Sequence, residues 1–174
     1  MTDVSPEGSP AALSSLAQSF KDVFRQHPSA VAIITASTAR GPVGLTASSV
    51  ASLAVDPPAL SFSVTRATGS AGGILDADSF VVHLLADSHV DVAEAFAHSG
   101  RPRFTPEQGW SRLATGEPFL PDSRAALRGR ALHVVQVGSS SLVIAEVLDV
   151  LVGPPAPALL YQDRRYRRLD HDGD

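Results

Sequence analysis

Three short stretches of this sequence combine residue types that hold anions or the polar edge of a planar ring. The first is GPVGLTASSVASL, residues 41–53. Gly44 permits close backbone approach or a positive φ. Thr46, Ala47, Ser48 and Ser49 carry small side chains and hydroxyls, with backbone N–H groups exposed among them. Small donors of this kind suit a phosphate or a heteroaromatic edge. An ordinary polar strand edge has the same composition. The second stretch is TRATGSAGGI, residues 65–74. Thr65, Thr68 and Ser70 are donors, Arg66 is a cation, and Gly69, Gly72 and Gly73 keep the loop open. A helix start with hydroxyls and a nearby arginine suits a phosphate, although a simple Thr/Ser cap reads alike. It lacks the GK[ST] of a Walker loop and the GxGxxG of a dinucleotide fingerprint. In the third, Arg101 and Arg103 flank Pro102 and precede Phe104. An arginine there can reach a phosphate, and Phe104 can lie against an aromatic ring.

Other chemistries are poorly represented. The six histidines (His27, His83, His89, His98, His133, His171) form no metal-binding spacing, and no metal is expected. His83 stands out because it lies within an apolar strand; a satisfied core histidine is the commoner explanation. Ser139, Ser140 and Ser141 have no G-x-S-x-G context, which argues against a serine hydrolase. Cysteine is absent. Disulfides, thiol catalysis, iron–sulfur clusters and Cys-ligated zinc are therefore excluded. The net charge of -4 offers no basic field for nucleic acid. No apolar run approaches the roughly 20 residues of a membrane span, and the first residues lack a basic, then apolar, leader pattern. A cytoplasmic protein is expected.

The positioning elements are mostly strands. Residues 1–15 are rich in Ser, Pro, Ala and Gly, which predicts disorder. Leu16, Phe20, Val23 and Phe24 recur at helical spacing, predicting an amphipathic helix over 16–26 that stops before Pro28. Extended segments are expected at 30–35, 43–46, 49–53, 59–64, 79–85, 131–137, 142–151 and 159–161, with short helices over 70–77 and 89–97. Residues 99–130 are dense in Gly and Pro and read as a long irregular stretch. Short links between strands favour antiparallel pairing. The fold class is mainly β with short helices: a small antiparallel β-barrel in one domain over 16–170.

The ordered landmarks AVAIITA (30–36), GPVGLTASSVASLAVDPPALSFSV (41–64), SFVVHLL (79–85), RPRF (101–104), Trp110, VIAEVLDV (143–150) and ALLYQDRRYRRL (158–169) resemble the flavin reductase-like FMN-binding family. That family includes the reductase components of two-component flavin monooxygenases. The resemblance implies an FMN-binding split β-barrel, a homodimer, and FMN (or FAD) reduced by NADH or NADPH for a partner monooxygenase. It implies flavin contacts from Thr46, Ala47, Ser48 and Ser49, phosphate contacts from Thr68 and Ser70, and closure by Arg101 and Phe104. No catalytic side chain is implied. Three positions depart from the family pattern. His83 stands where an asparagine is usual. Ser140 replaces the histidine of an Asp-His-Thr turn, near where the nicotinamide is expected. Arg164 replaces a glycine in the last turn. The Ser140 replacement keeps a second function open, a flavin carrier or sensor without nicotinamide oxidation. A third option is the same barrel using another electron donor, with His83 in the site.

Overall fold

A computed structural model describes residues 10–168. It begins with helix α1 (Pro10–Gln26). The helix starts earlier than expected: residues 10–15 are helical, while residues 1–9 lie outside the described part. Pro10 sits at the first helical position, where its missing N–H costs nothing, and the Ala/Leu/Ser run behind it propagates helix well. Strands β1 (Ser29–Ala30), β2 (Ala32–Thr38), β3 (Gly41–Ala47), β4 (Ala51–Val55) and β5 (Pro58–Thr65) follow. Then come α2 (Gly69–Leu75), β6 (Phe80–Leu84) and α3 (Val90–Ala97). The chain ends with β7 (Ser111–Arg112), β8 (Pro118–Phe119), β9 (Ala125–Val137), β10 (Ser140–Val152), β11 (Leu159–Gln162) and β12 (Arg165–Arg168).

Seven strands form one antiparallel sheet in the order β3-β2-β6-β9-β10-β5-β4. The backbone ladder does not join β3 to β5. Ser49, in the short link after β3, bridges them instead: its Oγ accepts from Ser63 N at 2.9 Å and donates to Ser63 O. One hydroxyl thus ties the chain leaving the edge strand β3 to the far part of β5, beyond the stretch of β5 that pairs with β4. A separate small sheet, β1-β11-β12, covers one end.

The run AVAIIT reads as uniformly apolar because both faces of β2 are buried. Ile34 points inward with Phe62, Phe80 and Val82, where Ile74 and Ala71 of α2 plug the interior. Phe62 and Phe80 meet edge-on at 5.2 Å. Ile33 points the other way, beneath Val92 and Phe96 of α3 and beside Leu85, Leu120 and Leu159.

One further sequence expectation needs correction. The stretch 99–130 is less irregular than its composition suggests, because β9 begins at Ala125 and not near residue 131. Gly129 hid this half of the strand. It pairs with Phe80 on one side and Val147 on the other, and an added Cβ would lie 2.8 Å from the Glu146 carbonyl. A glycine here marks close strand approach at a bulge, not a break. The arginine-rich end also pairs, as β12 on β11.

Glu117 anchors the β7–β8 hairpin to the sheet. It is buried, accepts from the hydroxyls of Ser79 and Thr115, and pairs with Arg128 Nε at 2.7 Å. Burial pushes its pKa up, but the hydrogen bonds from Ser79, Thr115, its own backbone and Arg128 outweigh this and bring it down to about 2. A carboxyl with a lowered folded pKa contributes stability above its unfolded value of 4.5 that is lost as pH falls toward 2. Glu117→Gln is expected to cost about 2–3 kcal/mol at neutral pH, since Arg128 keeps partial solvent access. The variant should also flatten the stability curve across that acid window. Denaturant titrations at stepped pH measure both effects.

Candidate functional site

A cleft of about 920 Å³ opens where the end of β3, the end of β5, the C-terminal part of α3 and the β11–β12 hairpin converge. That volume lies at the upper end of the range for small-molecule sites. Its apolar lining comes from Val31, Leu45, Ala47, Val64 and Phe96. Its polar lining includes Thr46, Ser48, Ser49, Ser63 and Thr65, with Glu94, His98, Tyr161, Arg164, Arg165 and Tyr166 from the facing elements.

The stretch 46–49 lines the cleft, but its members have different duties. Thr46 Oγ1 donates to the Ala93 carbonyl at 2.6 Å and ties β3 to α3. Ser49 is engaged with Ser63. Beyond Ala47 the β2–β3 ladder has ended, and among the described residues the backbone N–H groups of Ser48 and Ser49 meet no protein acceptor. The Ser48 side chain is also without a protein partner among them. These are the donors the cleft holds ready.

The other expected residues are placed differently. Thr68 and Ser70 sit in the loop and helix that follow Thr65, outside the cleft lining. The Ser70 hydroxyl accepts from Arg103 Nη1 at 3.2 Å. Arg101 is paired with Glu94 at 2.9 Å, beside the cleft. Phe104, with φ of 58°, packs edge-on against Phe96 at 4.9 Å and against Trp110 at 5.1 Å. It supports a ring of the cleft wall and does not itself line the cleft. Gly44 does permit a close approach, but to Phe96: an added Cβ would lie 2.6 Å from that ring.

Arg103, which the sequence offered only as half of an arginine pair, joins the parts together. Its guanidinium donates to the carbonyls of Ala95, His98 and Gly44 at 3.0 Å each, as well as to Ser70. It also lies 5.5 Å from the centre of the Phe96 ring. One side chain thereby satisfies the carbonyls at the end of α3 and ties that helix to β3 and α2.

His83 is not in the cleft. It is fully buried, with Nδ1–H donating to the Ile33 carbonyl at 3.1 Å and its ring edge-on to Trp110 at 5.4 Å. Burial lowers its pKa, the bond to Ile33 opposes this, and His89 lowers it further, to about 4. It is a neutral core residue, which leaves no place for it in the site chemistry.

Comparison with known proteins follows the same lines. The family model described as flavin reductase like domain matches residues 24–170, most of the chain. This chain belongs to that family. An NADH:FMN oxidoreductase of Rhodococcus qingshengii is 34% identical over 153 residues, covering 86% of this chain and 80% of the relative. The crystal structure of a flavin reductase domain protein from Arthrobacter sp. FB24 superposes with a TM-score of 0.82 at 31% identity, covering 90% of this chain and 99% of that one. The styrene monooxygenase flavin reductase of Pseudomonas putida gives a TM-score of 0.75 at 25% identity, covering 86% and 96% respectively. For a member of the flavin reductase family the cleft is chemically apt. Its apolar lining would suit a planar ring, and the unpartnered N–H groups of Ser48 and Ser49 would suit acceptor atoms at that ring's edge.

Sequence reasoning missed Glu94, His98 and the residues of the terminal hairpin. The usable signal was the pair Asp163-Arg164, a turn between two short alternating runs.

Two outcomes follow from this arrangement. Arg103→Ala is expected to destabilise the protein by about 2–4 kcal/mol, because four acceptors lose a charged donor. Arg103→Lys should recover only part of that, since one ammonium cannot span the acceptors. Thermal and denaturant unfolding measure both. His83, whose folded pKa is lowered, must gain a proton on unfolding below its ordinary 6.5. Its neutral form thus contributes stability above 6.5 that is lost as pH falls toward about 4. His83→Asn should flatten the stability curve over that interval.

Proposed function

We propose that this chain is an NAD(P)H-dependent flavin reductase, with FMN as the flavin, that supplies reduced flavin to a partner monooxygenase. The observation that carries the reading is the edge of unpartnered donors at Ser48 and Ser49 in the large cleft of a flavin reductase family member. The curated relatives named as NADH:FMN oxidoreductases support both cofactor and donor.

Bound flavin would supply the two-electron chemistry. The protein's part is orientation and electrostatics. Val31, Leu45 and Phe96 would hold a ring by apolar contact, and the N–H groups of Ser48 and Ser49 would favour negative charge at its polar edge. The loop that leaves the cleft at Thr65, with Thr68 and Ser70, is one candidate for the flavin phosphate, and Arg101, paired with Glu94, stands beside the cleft on the α3 side. No side chain needs to act as acid or base.

The uncovered apolar surface supports a homodimer. The stripe Leu16, Phe20, Val23 and Phe24 on α1 is exposed, Phe20 at 61% and Phe24 at 58%. Beyond Ala131, β9 pairs only with β10, and Val134 and Val135 on its opposite faces are both about half exposed. Surfaces of this kind are normally covered by a partner. No described helix is long and apolar enough to cross a membrane, and the reading places the enzyme in the cytoplasm.

One observation favours a flavin carrier or sensor as a second reading. Ser140 pairs with Thr65, which lines the cleft, so the histidine usual there is missing beside the site.

Anaerobic mixing of the FMN-loaded protein with NADH or NADPH tests the choice. Bleaching of the flavin absorbance with at least one donor is expected. Absence of bleaching with both, in a protein that still binds FMN, would favour the carrier. Ser140→His is then expected to raise the bleaching rate about tenfold or more, as a positioned imidazole adds a planar donor. Light scattering should give twice the chain mass at micromolar concentration.

A further inference from the structure

Two cations of the cleft have no part in the reading so far. Arg164 and Arg165 both line it, at the tip of the β11–β12 hairpin. Gln162 pairs with Arg165, so Asp163 and Arg164 are the two turn residues, with φ of 50° and 59°. A turn with both central φ values positive favours glycine at its second position. Arginine there holds a backbone conformation that a side chain disfavours, and such conformations gather where a ligand is engaged.

The turn is braced against α1. Asp163 N donates to the Arg25 carbonyl at 2.8 Å, Gln162 Nε2 donates to the Gln26 carbonyl at 2.9 Å, and Arg25 lies 3.6 Å from the Asp163 carboxylate. These contacts keep the hairpin tip in place.

The charges around the cleft leave the pair uncompensated. Glu94, the one carboxylate among the lining residues, is engaged by Arg101. His98 Nδ1 is directed to the Glu94 carbonyl. Among the described residues no carboxylate lies within ion-pair distance of Arg164 or Arg165. Arg103 is consumed by carbonyls. Arg164 and Arg165 are thus the cations of the lining available to an anion, and guanidinium groups match phosphate oxygens in a bidentate fashion.

We propose that Arg164, with Arg165, forms a phosphate-binding subsite of the cleft for a nucleotide ligand. The phosphoryl group is either the flavin's terminal phosphate or the diphosphate of the nicotinamide donor. The inference rests on the nucleotide reading of the cleft given above.

The test compares calorimetric titrations of wild type, Arg164→Gly and Arg164→Lys with FMN, riboflavin and ADP-ribose. ADP-ribose is added to flavin-loaded protein. Glycine adopts the turn conformation freely, so Arg164→Gly should fold, with an unfolding temperature equal to or above wild type. Its Kd for FMN or for ADP-ribose should rise about tenfold, as expected for loss of a charge-assisted contact. Riboflavin binding should not change. Arg164→Lys should fall between, and raised salt should weaken wild type more than Arg164→Gly. Loss confined to FMN assigns the subsite to the flavin phosphate, and loss confined to ADP-ribose assigns it to the donor. Unchanged Kd for both, or an equal loss for riboflavin and FMN, overturns the proposal. A wild type that binds these ligands but does not oxidise NAD(P)H defeats the reductase reading alone. A wild type that turns over while Arg164→Gly binds normally defeats the subsite alone.

Discussion

The cleft depends on how closely α3 lies against β3. Three contacts set that distance. Gly44 has no side chain where the Phe96 ring sits. Thr46 donates its hydroxyl to the Ala93 carbonyl. Arg103 gathers carbonyls from the end of α3 and from Gly44. Each is a polar or steric condition with little tolerance, because interiors are packed at near-crystalline density. Behind them, Phe104 and Trp110 brace Phe96 from the side away from the cleft. The long stretch after α3, dense in proline and glycine, thus supports the wall of the cleft.

The same economy governs the other side of the site. The sheet curls far enough for β3 to approach β5, yet the two are bridged by one serine hydroxyl and not by a ladder. Leaving β3 and β5 unpaired at this point keeps backbone donors of the linking residues available. A closed ladder would have used them. The donors at Ser48 and Ser49 are thus a consequence of how the barrel is split.

Electrostatics divide the arginines by function. Arg128 compensates Glu117 under the β7–β8 hairpin, Arg101 compensates Glu94, and Arg103 serves carbonyls. Arg164 and Arg165 are left facing the cleft. In the sequence these residues look alike, since charge alone does not say which partner a flexible side chain will find.

Much of the fold was legible because it depends on local pattern. The alternation in ALSFSV, the continuous apolar run AVAIIT and the turn residues between them locate strands by period and length. The stretch 46–49 stood out as a candidate because small donors cluster there, and it lines the cleft. Other features were decided in three dimensions. Gly129 looks like a break until the neighbouring carbonyl of Glu146 is seen to require it. Thr68, Ser70, Arg101 and Phe104 were chosen by type, but hydrogen bonding and packing sent them to other partners or outside the lining. Arg103 and Arg101 differ by two positions, and only the placement of the carbonyls at the end of α3 separates a clamp from a surface ion pair. Residue types and their periods are local properties written along the chain. Which donors remain unsatisfied is a property of the whole packed structure, because every polar group competes for the same acceptors once water is excluded.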